Sequence, residues 1–178
     1  IIDKIKRNLP FYTSGGITAS GGEPMMQIDF LIELFELAKE NNIHTCLDTS
    51  GAVYDSSNME LMEKIEKLST LCDLVMLDIK HIDDDEHKKL THHTNKNILE
   101  FAKFLDNRNV KLRIRHVIVP EITNKEEQLA RLGKFLKDFK NIEKIEVLPY
   151  HTLGKAKYEN MGMEYPLGDT PQLSDKDA

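Results

Sequence analysis

The sequence has 178 residues, with 24 Lys and Arg against 30 Asp and Glu and a net charge of −6. That length fits one compact domain, and 40% apolar with 30% charged residues is a globular rather than a disordered composition. The acidic balance argues against nucleic acid as a partner, and no run approaches the roughly 20 apolar residues of a membrane helix.

The N-terminal Ile1-Ile2-Asp3-Lys4 carries charge from the outset, unlike a signal peptide. Residues 1–8 read as a helical stub, and Gly16-Ile17-Thr18-Ala19 as a short strand. Residues 28–40 place Phe30, Leu31, Leu34, Phe35, Leu37 and Ala38 at helical spacing, with Asp29 near the start and Lys39 near the end. A strand over 43–48 follows, then a helix over 57–71 with Leu61, Met62, Ile65 and Leu68 on one face. A strand is predicted at 74–79, a helix at 97–106 and a strand at 112–119. A helix over 125–139 and a strand over 142–148 complete the series. Strands alternating with helices imply parallel pairing through right-handed crossovers, hence an α/β sheet or barrel. Residues 150–178 read as an irregular arm outside a barrel portion at 1–149.

Polar residues gather at the carboxyl ends of the strands. They are Ser20-Gly21-Gly22-Glu23-Pro24, Asp48-Thr49-Ser50-Gly51, Asp78-Ile79-Lys80, and Tyr150-His151 after Pro149. Strands of a parallel sheet should be apolar along their length, and ligands of α/β folds bind outside those ends. A composite site on this face is therefore expected. Gly21-Gly22 alone equally suits a tight turn, and Asp48-Thr49 a helix cap. Alternation puts Met76, Asp78 and Lys80 on one face of their strand and Val75, Leu77 and Ile79 on the other. The first set then points inward, where Asp78 and Lys80 must either pair or hold a ligand. Lys111, Arg113 and Arg115 alternate with Leu112, Ile114 and His116, which suits an anionic or peptide substrate, or an edge-strand charge pattern. The run Asp83-Asp84-Asp85-Glu86 reads as a solvated helix start, and His92-His93 as a loop pair. Cys46 and Cys72, 26 positions apart, read as buried small residues of a protein in a reducing cytosol.

Three runs, Gly16-Ile17-Thr18-Ala19-Ser20-Gly21-Gly22-Glu23-Pro24, His44-Thr45-Cys46-Leu47-Asp48-Thr49-Ser50-Gly51 and Asp73-Leu74-Val75-Met76-Leu77-Asp78-Ile79-Lys80, closely resemble the pyruvate formate-lyase activating enzymes of the radical S-adenosylmethionine (SAM) superfamily. Leu99-Glu100-Phe101-Ala102-Lys103, Val117-Ile118-Val119-Pro120 and Leu148-Pro149-Tyr150-His151-Thr152-Leu153-Gly154-Lys155 fit the same family in order. The resemblance implies a partial (β/α)6 barrel, here without its first strand, with SAM across the carboxyl ends. Gly21, Gly22 and Glu23 would then meet the methionyl amino group. Asp78, Ile79 and Lys80 would lie beside the ribose and carboxylate, and His151 beside the nucleoside. Asp48, Thr49, Met76 and Asp78 would hold a monovalent cation, and Arg115 a substrate peptide.

The resemblance further implies reductive SAM cleavage by a [4Fe-4S] cluster and formation of a glycyl radical on pyruvate formate-lyase. An electron donor such as reduced flavodoxin or ferredoxin, a cytoplasmic location and a monomeric state go with it. The family's Cys-x3-Cys-x2-Cys motif is absent from these 178 residues, and the chain does not begin with Met. The expectation is a chain truncated at both ends that neither binds a cluster nor cleaves SAM by itself. Two rival readings are a Schiff-base aldolase using Lys80 and a cluster-less remnant that only docks a glycyl radical enzyme.

Overall fold

The computed structural model describes residues 1–8, 11 and 15–174. A helix α1 (Ile2–Asn8) precedes strand β1 (Gly16–Ala19) and helix α2 (Ile28–Glu40). Then come β2 (His44–Thr49), α3 (Met59–Leu71), β3 (Leu74–Asp78), α4 (Asp84–Thr91), α5 (Lys96–Asn107) and β4 (Leu112–Ile118). Finally α6 (Glu126–Leu136), β5 (Ile142–Pro149) and a short α7 (Lys155–Asn160) complete the chain. The five strands form one parallel sheet in the order β1-β2-β3-β4-β5, so every strand pairs only with its neighbours in sequence.

The alternation read from the sequence decides which face is dry. Val75, Leu77 and Ile79 are buried with Leu112 and Ile114, and they pack into one core with Leu31 and Phe35 of α2, Ile65 and Leu68 of α3, Phe101 and Leu105 of α5, and Leu132 and Leu136 of α6. Phe35 is fully enclosed, and burying a side chain of that size stabilises the fold by about 1.5–3 kcal/mol. Asp48, Met76, Asp78, Arg113 and Arg115 alternate with these residues and occupy the opposite, half-buried face. Helix α3 begins directly after a turn at Asp55–Asn58, where the Asn58 side chain accepts the Leu61 amide at 3.1 Å, so Ser57 lies outside it.

The amino-terminal ends of the strands are tied down separately. Asp73 accepts the Thr45 amide at 2.9 Å and the Thr45 hydroxyl at 3.2 Å, and pairs with Lys39. Burial alone would raise the Asp73 carboxyl, but the Lys39 and Thr45 hydrogen bonds outweigh it and hold the group below the ordinary carboxylate range. Ties of this kind at the amino-terminal ends leave the carboxyl ends for ligands.

Two regions differ from the sequence reading. The acidic run does open a helix, α4, but its acids have tertiary partners. Arg131 grips Asp83 with two hydrogen bonds of 3.0 and 2.6 Å, and Asp84 accepts the Thr94 hydroxyl and the Asn95 amide. Beyond Pro149 the chain is less irregular than expected. It forms α7, and it folds back so that the Leu173 amide donates to the Tyr150 carbonyl and the Tyr150 and Tyr165 hydroxyls meet at 2.9 Å.

Candidate functional site

The carboxyl ends of β1 to β4 bring two polar clusters together. The first joins the turns after β1 and β2. Gly21 and Gly22 adopt φ of 85° and 56°, backbone that favours glycine, and a Cβ on either would meet nothing within 4 Å. Their turn therefore presents bare backbone to open space. Glu23 follows, and its side chain is fully committed. Oε1 accepts the Met25 amide at 3.1 Å and the Thr49 hydroxyl at 2.6 Å. Oε2 accepts the Ser50 amide at 3.0 Å and the Ser50 hydroxyl at 2.5 Å.

The second cluster spans β2, β3 and β4. Arg115 donates from Nε to Asp78 Oδ1 at 2.8 Å and from Nη1 to Asp48 Oδ2 at 3.2 Å, while Nη2 pairs with Asp48 Oδ1. Lys80 Nζ donates to the other Asp78 oxygen at 2.7 Å. Burial works against the Arg115 charge, yet Asp78 and Asp48 more than offset it and raise the guanidinium further. Asn95, buried and unread from the sequence, donates to the carbonyls of His81 and Ile82 and so pins the segment that carries Lys80.

Several expectations change against this geometry. The Glu23 carboxylate has no lone pair left for a ligand amine, because four donors saturate it. Ile79 faces the core; its amide donates to the Arg115 carbonyl and its carbonyl accepts from His116 Nδ1, so neither its side chain nor its backbone is free. Asp48 and Asp78 carry the Arg115 guanidinium and Thr49 is committed to Glu23, so protein groups already supply the charge and contacts expected of a monovalent cation. Arg115 is likewise held inside the site instead of standing free toward a peptide. Asp48-Thr49 caps no helix. His151 is exposed just past β5, four strand spacings from β1, or about 19 Å along the sheet. A cavity of about 410 Å3 beside β1, lined by Ile17, Phe30 and Leu34, meets the first cluster at Ser20, Gly21 and Pro24.

Lys80 is paired with a carboxylate and half exposed, without the dry apolar surroundings that activate a Schiff-base lysine. That removes the structural support for an aldolase. Ser50, part of a strand-end polar cluster but given no role from the sequence, supplies two of the four donors to Glu23. Its signal was a hydroxyl beside Asp48-Thr49 at a strand end.

A parallel α/β domain with charged and glycine-backbone groups at the carboxyl ends of successive strands has the architecture of a half-barrel, a class that carries its ligand sites on that face. The chain matches the family described as the Radical SAM superfamily over residues 1–133. It is 48% identical over 164 residues to the pyruvate formate-lyase-activating enzyme of Streptococcus mutans, covering 92% of this chain and 62% of that protein. It is 42% identical over 179 residues to that of Staphylococcus epidermidis, covering 99% of this chain and 70% of the relative. The crystal structure of a domain of a pyruvate-formate lyase-activating enzyme from Bacteroides vulgatus superposes with a TM-score of 0.69 at 25% identity, over 78% of this chain and 82% of that one. Streptococcus suis SuiB bound to its precursor peptide SuiA shares the fold alone, with a TM-score of 0.68 at 20% identity over 92% of this chain and 35% of that one.

The chain belongs to the radical SAM superfamily and, within it, to the pyruvate formate-lyase-activating enzymes. Its sheet is part of the superfamily's (β/α) barrel. It spans between six and seven tenths of the length of these two curated relatives.

Membership implies SAM and an iron–sulfur cluster, and the residues present answer differently to each. SAM fits at the glycine turn: the Gly21-Gly22 cradle is open, and Lys80, half exposed and paired with Asp78, lies at the end of β3 on the same side of the sheet. The cluster does not fit. Among the described residues no group of three or more His, Cys, Asp or Glu side chains could hold a metal ion. Cluster ligands are thiolates, whereas burial raises the Cys46 thiol and pushes that of Cys72 up to about 12.

Proposed function

We propose that these residues form the SAM-binding and substrate-facing part of an enzyme that generates a glycyl radical on pyruvate formate-lyase. The observation that carries this reading is that the Gly21-Gly22 backbone and the Asp78–Lys80 pair lie at the carboxyl ends of β1 and β3, on either side of β2. SAM is a zwitterion with a sulfonium, an α-ammonium, a carboxylate and a ribose diol. In this reading Lys80 receives the carboxylate, Asp78 the ribose hydroxyls, and His151, beyond the end of β5, the nucleoside. The carbonyls of the glycine turn receive the ammonium, and the uncompensated Glu23 charge behind them favours a cationic ligand. Arg115, once released from its two aspartates, is the group to grip a glycine-containing peptide loop.

No step of SAM cleavage is assigned to these residues, because they include no ligand set for the cluster. The 178 residues by themselves bind SAM and leave it intact. Residues 1–149 act as the barrel portion and 150–178 as a C-terminal arm. Reduced flavodoxin or ferredoxin as the electron donor, a monomeric state and a cytoplasmic location complete the proposal.

Calorimetric titration of SAM into the chain, with Lys80→Ala and Asp78→Asn beside it, tests the reading. The wild type should bind, and each variant should lose affinity by about tenfold or more, as expected for a charged hydrogen bond. A wild type that shows no heat of binding, or variants that match it, would overturn the assignment.

A further inference from the structure

The Glu23 carboxylate carries the least expected geometry in the site. Its two oxygens offer about four lone-pair positions, and the protein fills them with two amides and two hydroxyls, two donors on each oxygen. No ion pair among the described residues reaches it. Three of those donors come from Thr49 and Ser50, 26 and 27 residues further along the chain, at the end of the next strand. The side chain is thus a bracket between the turns after β1 and β2. The Met25 amide is the remaining donor, and it fixes the start of the short helical turn at Pro24–Gln27.

The bracket matters because of what immediately precedes it. Gly21 and Gly22 both lie at positive φ with open space where a Cβ would be, so neither offers a side chain to anchor the turn. Glycine is also the residue with the most backbone freedom to lose. An anchor supplied by the neighbouring Glu23 side chain therefore counts for more here. Thr49 is itself anchored, since its Oγ1 accepts the Gly51 amide at 3.0 Å while donating to Glu23. Ser50 Oγ accepts the Ala52 amide at 3.3 Å in the same manner. Rigidity passes from the β2 turn, through two hydroxyls, to the carboxylate and so to the glycines.

We infer that Ser50, with Thr49, is a positioning residue that holds the Gly21-Gly22 turn in its ligand-receiving shape through the Glu23 carboxylate. Glu23 then serves the ligand by placing backbone carbonyls and by leaving one uncancelled negative charge behind them. The ligand class this arrangement suits is a small cationic group, an ammonium or sulfonium, approaching the glycine backbone. This inference rests on the SAM-binding reading for the identity of the ligand, but the bracket itself does not.

The test separates the two. Backbone order parameters of Gly21 and Gly22 are measured by nitrogen-15 relaxation on the free chain, and SAM affinity by calorimetry, for wild type, Ser50→Ala, Ser50→Thr and Glu23→Gln. In the wild type both glycines should be near the rigid value of about 0.85, and in Ser50→Ala they should fall toward or below about 0.6. SAM affinity should fall about tenfold in Ser50→Ala, the worth of one hydrogen bond to a charged group. Ser50→Thr keeps the hydroxyl and should restore both. Glu23→Gln replaces one acceptor oxygen with donors and should loosen the glycines as well. Rigid glycines and unchanged affinity in Ser50→Ala would overturn the inference. So would loosened glycines with unchanged affinity. Loosened glycines in a chain whose wild type binds no SAM would keep the bracket and discard the ligand.

Discussion

Replacing Arg115 by Met removes the charge that holds two carboxylates together across three strands. Three hydrogen bonds are lost, one to Asp78 and two to Asp48. Lys80 still serves Asp78, but Asp48 is left with no cation. Breaking a fully buried ion pair costs about 3–5 kcal/mol, and breaking an exposed one costs about 0–1 kcal/mol. All three side chains retain 21–22% of their exposure. The expected cost is therefore intermediate, about 2–3 kcal/mol, or a fall in Tm of about 5–10 °C for a chain of this size. A urea-unfolding double-mutant cycle isolates the pair. Asp48→Asn alone should cost about 1 kcal/mol, since Asp78 keeps its bond to Arg115. In the Arg115→Met background the same change should be neutral or stabilising, because it removes a carboxylate that has lost its partner. A coupling of about 1 kcal/mol or more follows. If Arg115→Met lies within about 0.5 kcal/mol of the wild type, the electrostatic account of the site is wrong.

Anaerobic incubation of the 178-residue chain with ferrous iron and sulfide should give neither the brown absorption nor the reduced EPR signal of a [4Fe-4S] cluster, and 5′-deoxyadenosine production would refute this. Gly51→Ala should destabilise by about 2–4 kcal/mol in thermal melts, from its positive φ and from overpacking. Its φ is 72°, and a Cβ would stand 2.9 Å from Phe101 Cδ1 and 3.0 Å from Leu77 Cδ1. Burial holds the His87 imidazole below its ordinary range, against the His93 carbonyl and Asp84 and with His81 and His93 as like-charged neighbours. The unfolded chain then binds the extra proton, so this contribution is complete above about pH 6.5 and is lost as pH falls through the lower folded value. Urea midpoints between pH 7.5 and pH 5 should fall more steeply for the wild type than for His87→Asn, and parallel slopes would contradict this.

How much of this was legible depended on the distance over which each feature is specified. The faces of β3 and β4 followed from a period of two, so Val75 and Leu77 inside, and Asp78 and Arg115 on the opposite face, could be read directly. The helical stretch Asp84–Thr91 carries no apolar stripe and buries only His87, so periodicity suggested a helix start but not its extent. Helix α7 escaped because it has six residues and no buried side chain; it forms beside the contact of Tyr158 with Tyr165. In the site, the strand-end residue types announced a ligand face, but the partner of each charge did not follow from its neighbours. That Glu23 is spent on Thr49 and Ser50, and Arg115 on Asp48 and Asp78, depends on the registers of β1–β2, β2–β3 and β3–β4. Nothing local in the sequence states a register.

The strictly sequential strand order has a consequence for the order of assembly. During synthesis Asp48 and Asp78 emerge first, and Arg115 follows 37 residues after Asp78. Until β4 docks, the two carboxylates share adjacent strands with only Lys80 to answer them. The growing sheet therefore carries, at its advancing edge, a charge that only the next strand can neutralise. Hydrophobic alternation alone would let β4 settle out of register. The waiting pair of aspartates gives one register a reward that its competitors lack. In kinetic terms, Arg115→Met should slow refolding more than it speeds unfolding.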